Sequence, residues 1–257
     1  MQVIEKTDRI AKLMARFGAC SRREAEKLIL EGRVTYQGKT LTSPAFCLRP
    51  QDMGDVKIDG TKLQTQSPPL IRLWRFHKPS GVLTTHQDTH KRPTVFDLLP
   101  PEMPRVISVG RLDLNTEGLL LLTNHGGLAR FLELPSTGWK RRYRVRVFGD
   151  LKEAFLKEIG QGITVEGISY GPIEATLDQA EPEKDKRQNK WVTLTLKEGK
   201  NREIRKVMAH GGLRVSRLIR LSYGPFVLGN LGRGKLEEVS TQNVKGFLGK
   251  AWDEIQT

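Results

Sequence analysis

The chain has 257 residues, 37% of them hydrophobic, which suits one large domain or a small one joined to a medium one, each with an apolar core. No apolar run approaches the ~20 residues a membrane span needs. The 43 Lys and Arg outnumber the 29 Asp and Glu, and the net charge of +14 points to a polyanionic partner, above all nucleic acid. A membrane surface would more often bring a lipidation motif, and none is present. The two cysteines, Cys20 and Cys47, are too few for a disulfide framework or a structural zinc site. The opening MQVIEKTDRIAKLM is charged throughout and lacks the apolar stretch of a secretory signal, so a cytoplasmic location is expected.

In chain order, Ile10, Leu13, Met14 and Phe17 follow the spacing of a helix that Gly18 ends. Ser21 and Glu24 form the S-x-x-E capping box of a second helix, which buries Ala25, Leu28 and Ile29 and stops at Gly32. Val34, Thr35 and Tyr36 read as a strand turning at Gln37-Gly38, and residues 56–58 as another turning at Asp59-Gly60. This order of helix, short turn, S-R-R-E helix and Gly-Arg-Val strand resembles the S-four RNA-binding domain, named for a small-subunit ribosomal protein. The resemblance covers roughly residues 8–55 and implies RNA contact by Arg9, Arg22, Arg23, Lys27 and Arg33.

Residues 64–70, QTQSPPL, read as a semi-stiff linker. A strand is expected at 71–76, then the segment HKPSGVLTT at 77–85 and Arg92-Pro93-Thr94-Val95. At 110–124 lies GRLDLNTEGLLLLTN, where Asp113 and Arg111 share a Gly-opened polar segment ahead of four leucines. Such an apolar run suits an element buried on both faces, and the charges would lie at its mouth. A helix follows that buries Leu128, Phe131 and Leu132 and halts before Pro135. Strands are expected at 140–148, within 163–177 and at 191–196, with a helix at 151–159 and a polar hairpin loop at 181–190.

Residues 110–124 resemble the catalytic motif of RNA pseudouridine synthases of the RsuA/RluB family, through Gly110, Arg111, Leu112, Asp113, Thr116, Gly118, Leu119 and Thr123. The segments 77–85, 140–146 (KRRYRVR) and 198–225 resemble further motifs of that family, so the match covers most of residues 70–231. The wording of 198–206 and 223–225 is closer to RluB members, which act on large-subunit rRNA, than to RsuA members. One departure is Asn124 before His125-Gly126, where an acid is usual.

The resemblance implies an α+β chain. A small α/β RNA-binding module at 1–63 and the linker at 64–70 precede a synthase domain at 71–240, with a mainly antiparallel mixed sheet flanked by helices; a C-terminal helix spans 241–257. It implies cofactor-independent isomerisation of uridine to pseudouridine in ribosomal RNA, with rRNA as the partner, no membrane and a monomeric chain. Asp113 is implied as the catalytic carboxylate and Arg111 as filler of the space a flipped base vacates. Tyr143 would offer a stacking face and accept the proton at carbon 5. A nucleophilic carboxylate must be ionised, which burial opposes and a guanidinium restores through paired hydrogen bonds. Arg205 stands at the family position of that partner, and Ile204 and Leu221 at apolar positions bordering the base.

Asn201 is read as the cap of the helix carrying Arg202, Ile204 and Arg205, whose N-terminus favours anions. Seven cations against one acid in residues 200–220, among them Arg202, Arg214, Arg217 and Arg220, suggest phosphate contacts beside the cleft. Lys140 and Arg142 extend the expected RNA contacts.

Three signals point elsewhere and are set aside. Residues 167–171 match G-x-S-x-G, yet an alternating strand pattern rather than a helix follows. His86 and His90 have the spacing of a zinc pair, yet the segment is polar, so a loop lining the cleft is expected and no metal. There is no Gly-rich loop for a nucleotide or methyl-donor cofactor, so no cofactor is expected and a methyltransferase is disfavoured. The other rival, a catalytically inactive rRNA-binding ribosome assembly factor, would have lost Asp113, Tyr143 or Arg205, and all three are present.

Overall fold

The computed structural model describes residues 7–63, 69–178 and 189–256. Most of the expected linker at 64–70 and of the expected loop at 181–190 lies outside these residues. Two compact units are present, one comprising the residues up to Ile71 together with Asn124–Gly126, the other Arg72–Thr123 and the residues from Gly127 onward.

The first unit contains β1 (Asp8–Arg9), α1 (Ile10–Arg16), α2 (Arg22–Leu30), β2 (Val34–Tyr36), β3 (Lys39–Thr40), β4 (Cys47–Leu48), β5 (Val56–Ile58) and β6 (Thr61–Lys62). The capping box forms: the Glu24 amide donates to the Ser21 hydroxyl at 3.1 Å, and the Ser21 amide to the Glu24 carboxylate at 3.4 Å. The apolar stripe of α1 meets Ala25 and Ile29 of α2 over Val34, Met53 and Val56. Strands pair in the order β3-β2-β5-β6, and both hairpin turns, Gln37-Gly38 and Asp59-Gly60, have positive φ at each central residue.

The second unit contains β7 (Leu73–Lys78), β8 (Ile107–Val109), β9 (Thr116–Thr123), α3 (Gly126–Glu133), β10 (Arg141–Phe148) and α4 (Glu153–Ile159). Then come β11 (Ile163–Val165), β12 (Ile168–Tyr170), β13 (Glu174–Leu177), β14 (Asn189–Leu196), α5 (Glu203–His210), β15 (Arg214–Tyr223), β16 (Phe226–Val227) and β17 (Leu236–Val239). Its main sheet runs β13-β14-β10-β15-β9-β7-β17, with β16 on β15 and β8 on β9. The β9–β15 pair is parallel and the other pairs are antiparallel, a mainly antiparallel mixed sheet. The four leucines sit in β9, between β15 and β7, and all eight of its residues are buried.

Two core clusters lie on one face of this sheet. One joins Val145, Leu194 and Leu218 to Ile204, Val207 and Met208 of α5; the other joins Trp74, Phe76, Leu120 and Leu122 to Val82, Val95 and Leu112. Tyr143 packs against both.

One expectation changes and one is met. The C-terminal helix is broken into α6 (Thr241–Leu248) and α7 (Ala251–Gln256), because Gly249 between them takes φ +54°. The G-x-S-x-G match lies on β12, paired antiparallel with β11, and leads into no helix.

Gly118 is the tight point of the sheet. Its φ is +103°, and a Cβ there would lie 2.3 Å from the Arg220 carbonyl oxygen and 2.6 Å from the Arg220 nitrogen. Gly118→Ala is expected to cost about 3 kcal/mol or more through strain and a forced shift of β15. The check is a lower urea midpoint at unchanged m-value.

Candidate active site

A cleft of about 760 Å³ opens over the β9–β15 junction, walled by the loop at 110–115, the loop at 83–85, β10 and the start of α5. Asp113 lies on this wall with its side chain 31% exposed. Its loop is tied down through the backbone. The Thr84 hydroxyl donates to the Leu112 carbonyl at 3.0 Å, the Gly81 amide to that of Leu114 at 2.8 Å, and the Thr116 amide to that of Asp113 itself at 3.0 Å.

Lys78, at the end of β7, is fully buried. Its ammonium donates to the carbonyls of Pro79 at 3.1 Å, Leu114 at 3.2 Å and Thr116 at 2.9 Å, so three donors meet three acceptors. Two of these carbonyls, those of Leu114 and Thr116, belong to the turn that follows Asp113. Burial pushes the Lys78 pKa down to about 8, against the opposing pull of Asp113 and Glu117.

Arg205, on α5, donates through one terminal nitrogen to the Asn115 carbonyl at 3.1 Å and through the other to the Val215 carbonyl at 3.3 Å. Its Nε stands 4.0 Å from the Asp113 carboxylate and makes no hydrogen bond. The expected paired hydrogen bonds are therefore replaced by a loose ion pair, because the guanidinium fork is occupied by backbone. Burial, and then the charge of Arg202, lower the Arg205 pKa, while Asp113 opposes them. Arg202 comes closer to the carboxylate, at 3.5 Å, from a half-exposed position.

Asn201 does not cap α5. The N-cap is Arg202, in left-handed conformation at φ +52°, and makes no side-chain cap bond. Instead the Glu203 carboxylate takes the Lys200 amide at 2.9 Å. Burial raises the pKa of Glu203, which also lines the cleft.

Residues 72–210 match the family model described as RNA pseudouridylate synthase. The chain belongs to that family. Residues 8–53 match the model of the S4 domain. An uncharacterised RNA pseudouridine synthase of Rickettsia felis is 44% identical over 91% of this chain and 97% of its own. The ribosomal large subunit pseudouridine synthase B of Pasteurella multocida is 39% identical over 92% of this chain and 68% of its own. A crystal structure of a pseudouridylate synthase, 22% identical, shares the fold at a TM-score of 0.63 over 92% of this chain and 98% of that one. The reaction of this synthase is the isomerisation of uridine to pseudouridine in RNA.

Around the synthase's cleft, Arg111 is exposed at the rim, Ile204 is buried in the wall, and Tyr143 is half-buried on β10. Leu221 does not line it. β15 carries an extra residue there, since Arg142 pairs with Ser222 and Tyr143 with Arg220, so Leu221 is bulged out of the ladder. Leu218 and Arg220 hold the wall instead. Arg220 is 3% exposed and donates to the Leu119 carbonyl at 2.7 Å, so it is no surface phosphate contact.

The outer cations divide. Arg9, Arg22, Arg23 and Arg142 are exposed. Arg33 instead forks onto Asp59 and reaches Glu31, Lys27 lies 3.6 Å from Glu31, and Lys140 lies 2.7 Å from Glu174. Arg217 forks onto the buried Glu117 at 2.8 and 3.0 Å, away from the cleft rather than beside it. Among the described residues no cluster of three or more His, Cys, Asp or Glu is arranged to hold a metal, and His86 stacks on Phe96.

Sequence reasoning passed over Lys78, Arg141 and Thr84. The signal for Lys78 was a charge within the apolar pattern of β7. Arg141 lines the cleft, donates to the Tyr223 hydroxyl at 3.0 Å and lies over that ring.

Lys78 makes a pH prediction. Its pKa falls from 10.5 in the open chain to about 8 when folded, so burying its charge penalises the fold fully below pH 8, and the penalty is relieved between pH 8 and 10.5. The stability of the wild type minus that of Lys78→Met should therefore rise by about 3 kcal/mol across that window. Paired denaturation series measure it; a flat difference contradicts the assignment.

Proposed function

We propose that this synthase modifies a uridine of large-subunit ribosomal RNA, acting as a cytoplasmic monomer, and that Asp113 is its nucleophile. The observation that carries the assignment is the placement of the Asp113 carboxylate in the cleft wall, 3.5 Å from Arg202 and 4.0 Å from Arg205. The likeness to large-subunit synthases of three bacteria supports the choice of RNA.

In this reading the target nucleotide leaves its stack and enters the cleft, and Arg111 at the rim fills the gap it leaves. The uracil lies on Tyr143, between apolar walls from Ile204, Leu112 and Leu218. The Asp113 carboxylate attacks the bound uridine; the bond from N1 to the anomeric carbon breaks. The freed base turns, carbon 5 bonds to the anomeric carbon, the bond to Asp113 breaks and restores the carboxylate, and the proton on carbon 5 is taken up with Tyr143 as acceptor while N1 gains one, so the proton count is unchanged. Arg205 and Arg202 face the carboxylate at 4.0 and 3.5 Å, through charge rather than through direct hydrogen bonds. Every atom of the base returns to the product, so no co-reactant is consumed.

Asp113→Asn preserves shape and removes the nucleophile. It should lower kcat by about 10³-fold or more, about 4 kcal/mol of barrier, while RNA affinity holds. Retained turnover would end the assignment of Asp113, and unaltered pseudouridine maps of 23S rRNA in cells lacking the protein would end that of the RNA.

The exposed Arg22 and Arg23 on α2 carry the proposed docking role of the S4 domain. Replacing both by Ala should weaken rRNA binding and make the log–log salt dependence shallower by about two. Unchanged affinity and slope would remove that role.

A further inference from the structure

We infer that the face of the catalytic sheet opposite the cleft is a second RNA-binding surface, which takes phosphates of a segment of the same rRNA remote from the flipped uridine. This rests on the large folded RNA proposed as substrate. Arg141 and Tyr143 line the cleft, and Val145 is buried in the core on that side. Alternation along a strand sends Arg142, Arg144 and Arg146 to the other face. Register places Arg146 beside Arg217 of β15 and Trp191 of β14, and Phe148 beside Arg214, which therefore lies on this face and not beside the cleft as its sequence neighbourhood suggested.

The guanidiniums of Arg144, Arg146 and Arg217 lie 4.6, 5.9 and 6.0 Å from the centre of the Trp191 ring, and that of Arg214 lies 5.4 Å from Phe148. The aromatic rings thus hold a cluster of planar cations together on this face.

Two of these cations are neutralised, Arg144 by Asp178 and Arg217 by Glu117. Among the described residues Arg142, Arg146 and Arg214 have no acidic partner. Arg144 keeps 46% of its side chain exposed and Phe148 is 40% exposed, so the described residues leave the face open.

Charge complementarity selects the occupant. Arginines two residues apart on a strand repeat at about 7 Å, which is comparable to the separation of successive phosphates along a nucleic-acid strand. Guanidinium forks also match phosphate oxygens. The rings are covered by guanidiniums, which favours backbone contact over base stacking. Contacts of this kind position an RNA without reading its sequence, so the surface would orient a folded substrate while the cleft selects the uridine.

The test uses the full chain carrying Arg146→Glu, Arg214→Glu or both, with 23S rRNA and with a short hairpin spanning the modified uridine. The double variant should bind 23S rRNA at least about 10-fold more weakly, with a log–log salt slope shallower by about two. Its kcat/KM on the hairpin should stay within about twofold of wild type, about 0.4 kcal/mol. Unchanged affinity and slope for 23S rRNA would overturn the inference. So would equal losses on the hairpin and 23S rRNA, because the arginines would then serve the cleft. A denaturation midpoint matching wild type shows that each variant is folded, and Arg146→Ala is the milder substitute where reversal unfolds the chain. Failure of the wild type to modify 23S rRNA would instead fail the functional reading, while the binding measurement would still decide the surface.

Discussion

The guanidinium of Arg205 clips together the entrances of two parallel strands, and the cleft depends on that clip. β9 and β15 run side by side with Thr116 opposite Leu218, so the backbones leading into both strands arrive at one end of the pair. One carries Asp113; the other follows α5. By donating to Asn115, just before β9, and to Val215, at the start of β15, Arg205 holds both entrances and leaves only its Nε facing the carboxylate. The loose ion pair is thus a consequence of a structural demand on the same side chain. Arg202, with no such duty, stands nearer and remains half-exposed.

Lys78 works on the same loop from beneath. A buried ammonium costs several kcal/mol unless its donors are met, and here three backbone carbonyls meet them. Two of those carbonyls, Leu114 and Thr116, lie in the turn that Asp113 begins, so the stability of the buried charge and the geometry of the loop are one arrangement. Gly118 completes it from the strand side, because only a residue without Cβ lets β9 approach Arg220 so closely.

Strand β10 shows how one basic run can serve two faces. Its five cations in residues 140–146 look like a single patch in the sequence. The pleat divides them, with Arg141 and Tyr143 toward the cleft and Arg142, Arg144 and Arg146 toward the opposite side. The bulge in β15 divides its neighbours likewise: it takes Leu221 out of the wall and puts Arg220 into it.

Much was legible in the sequence because the signals were local. The capping box at Ser21 and Glu24, the two-residue turns at Gln37-Gly38 and Asp59-Gly60, and the doubly buried strand of leucines each follow from a few adjacent residues and their spacing. The segments that form the cleft were recognisable as motifs for the same reason. What each charged side chain touches was not legible, because that depends on partners far away in the chain. Arg205 meeting Asn115, Arg217 meeting Glu117 and Lys78 meeting Thr116 are set by strand order and register, and so is the placement of Arg220 in the wall. Periodicity along the chain decided which residues are buried; only the parallel junction of β9 and β15, with its bulge and its glycine, decided which of those residues face one another.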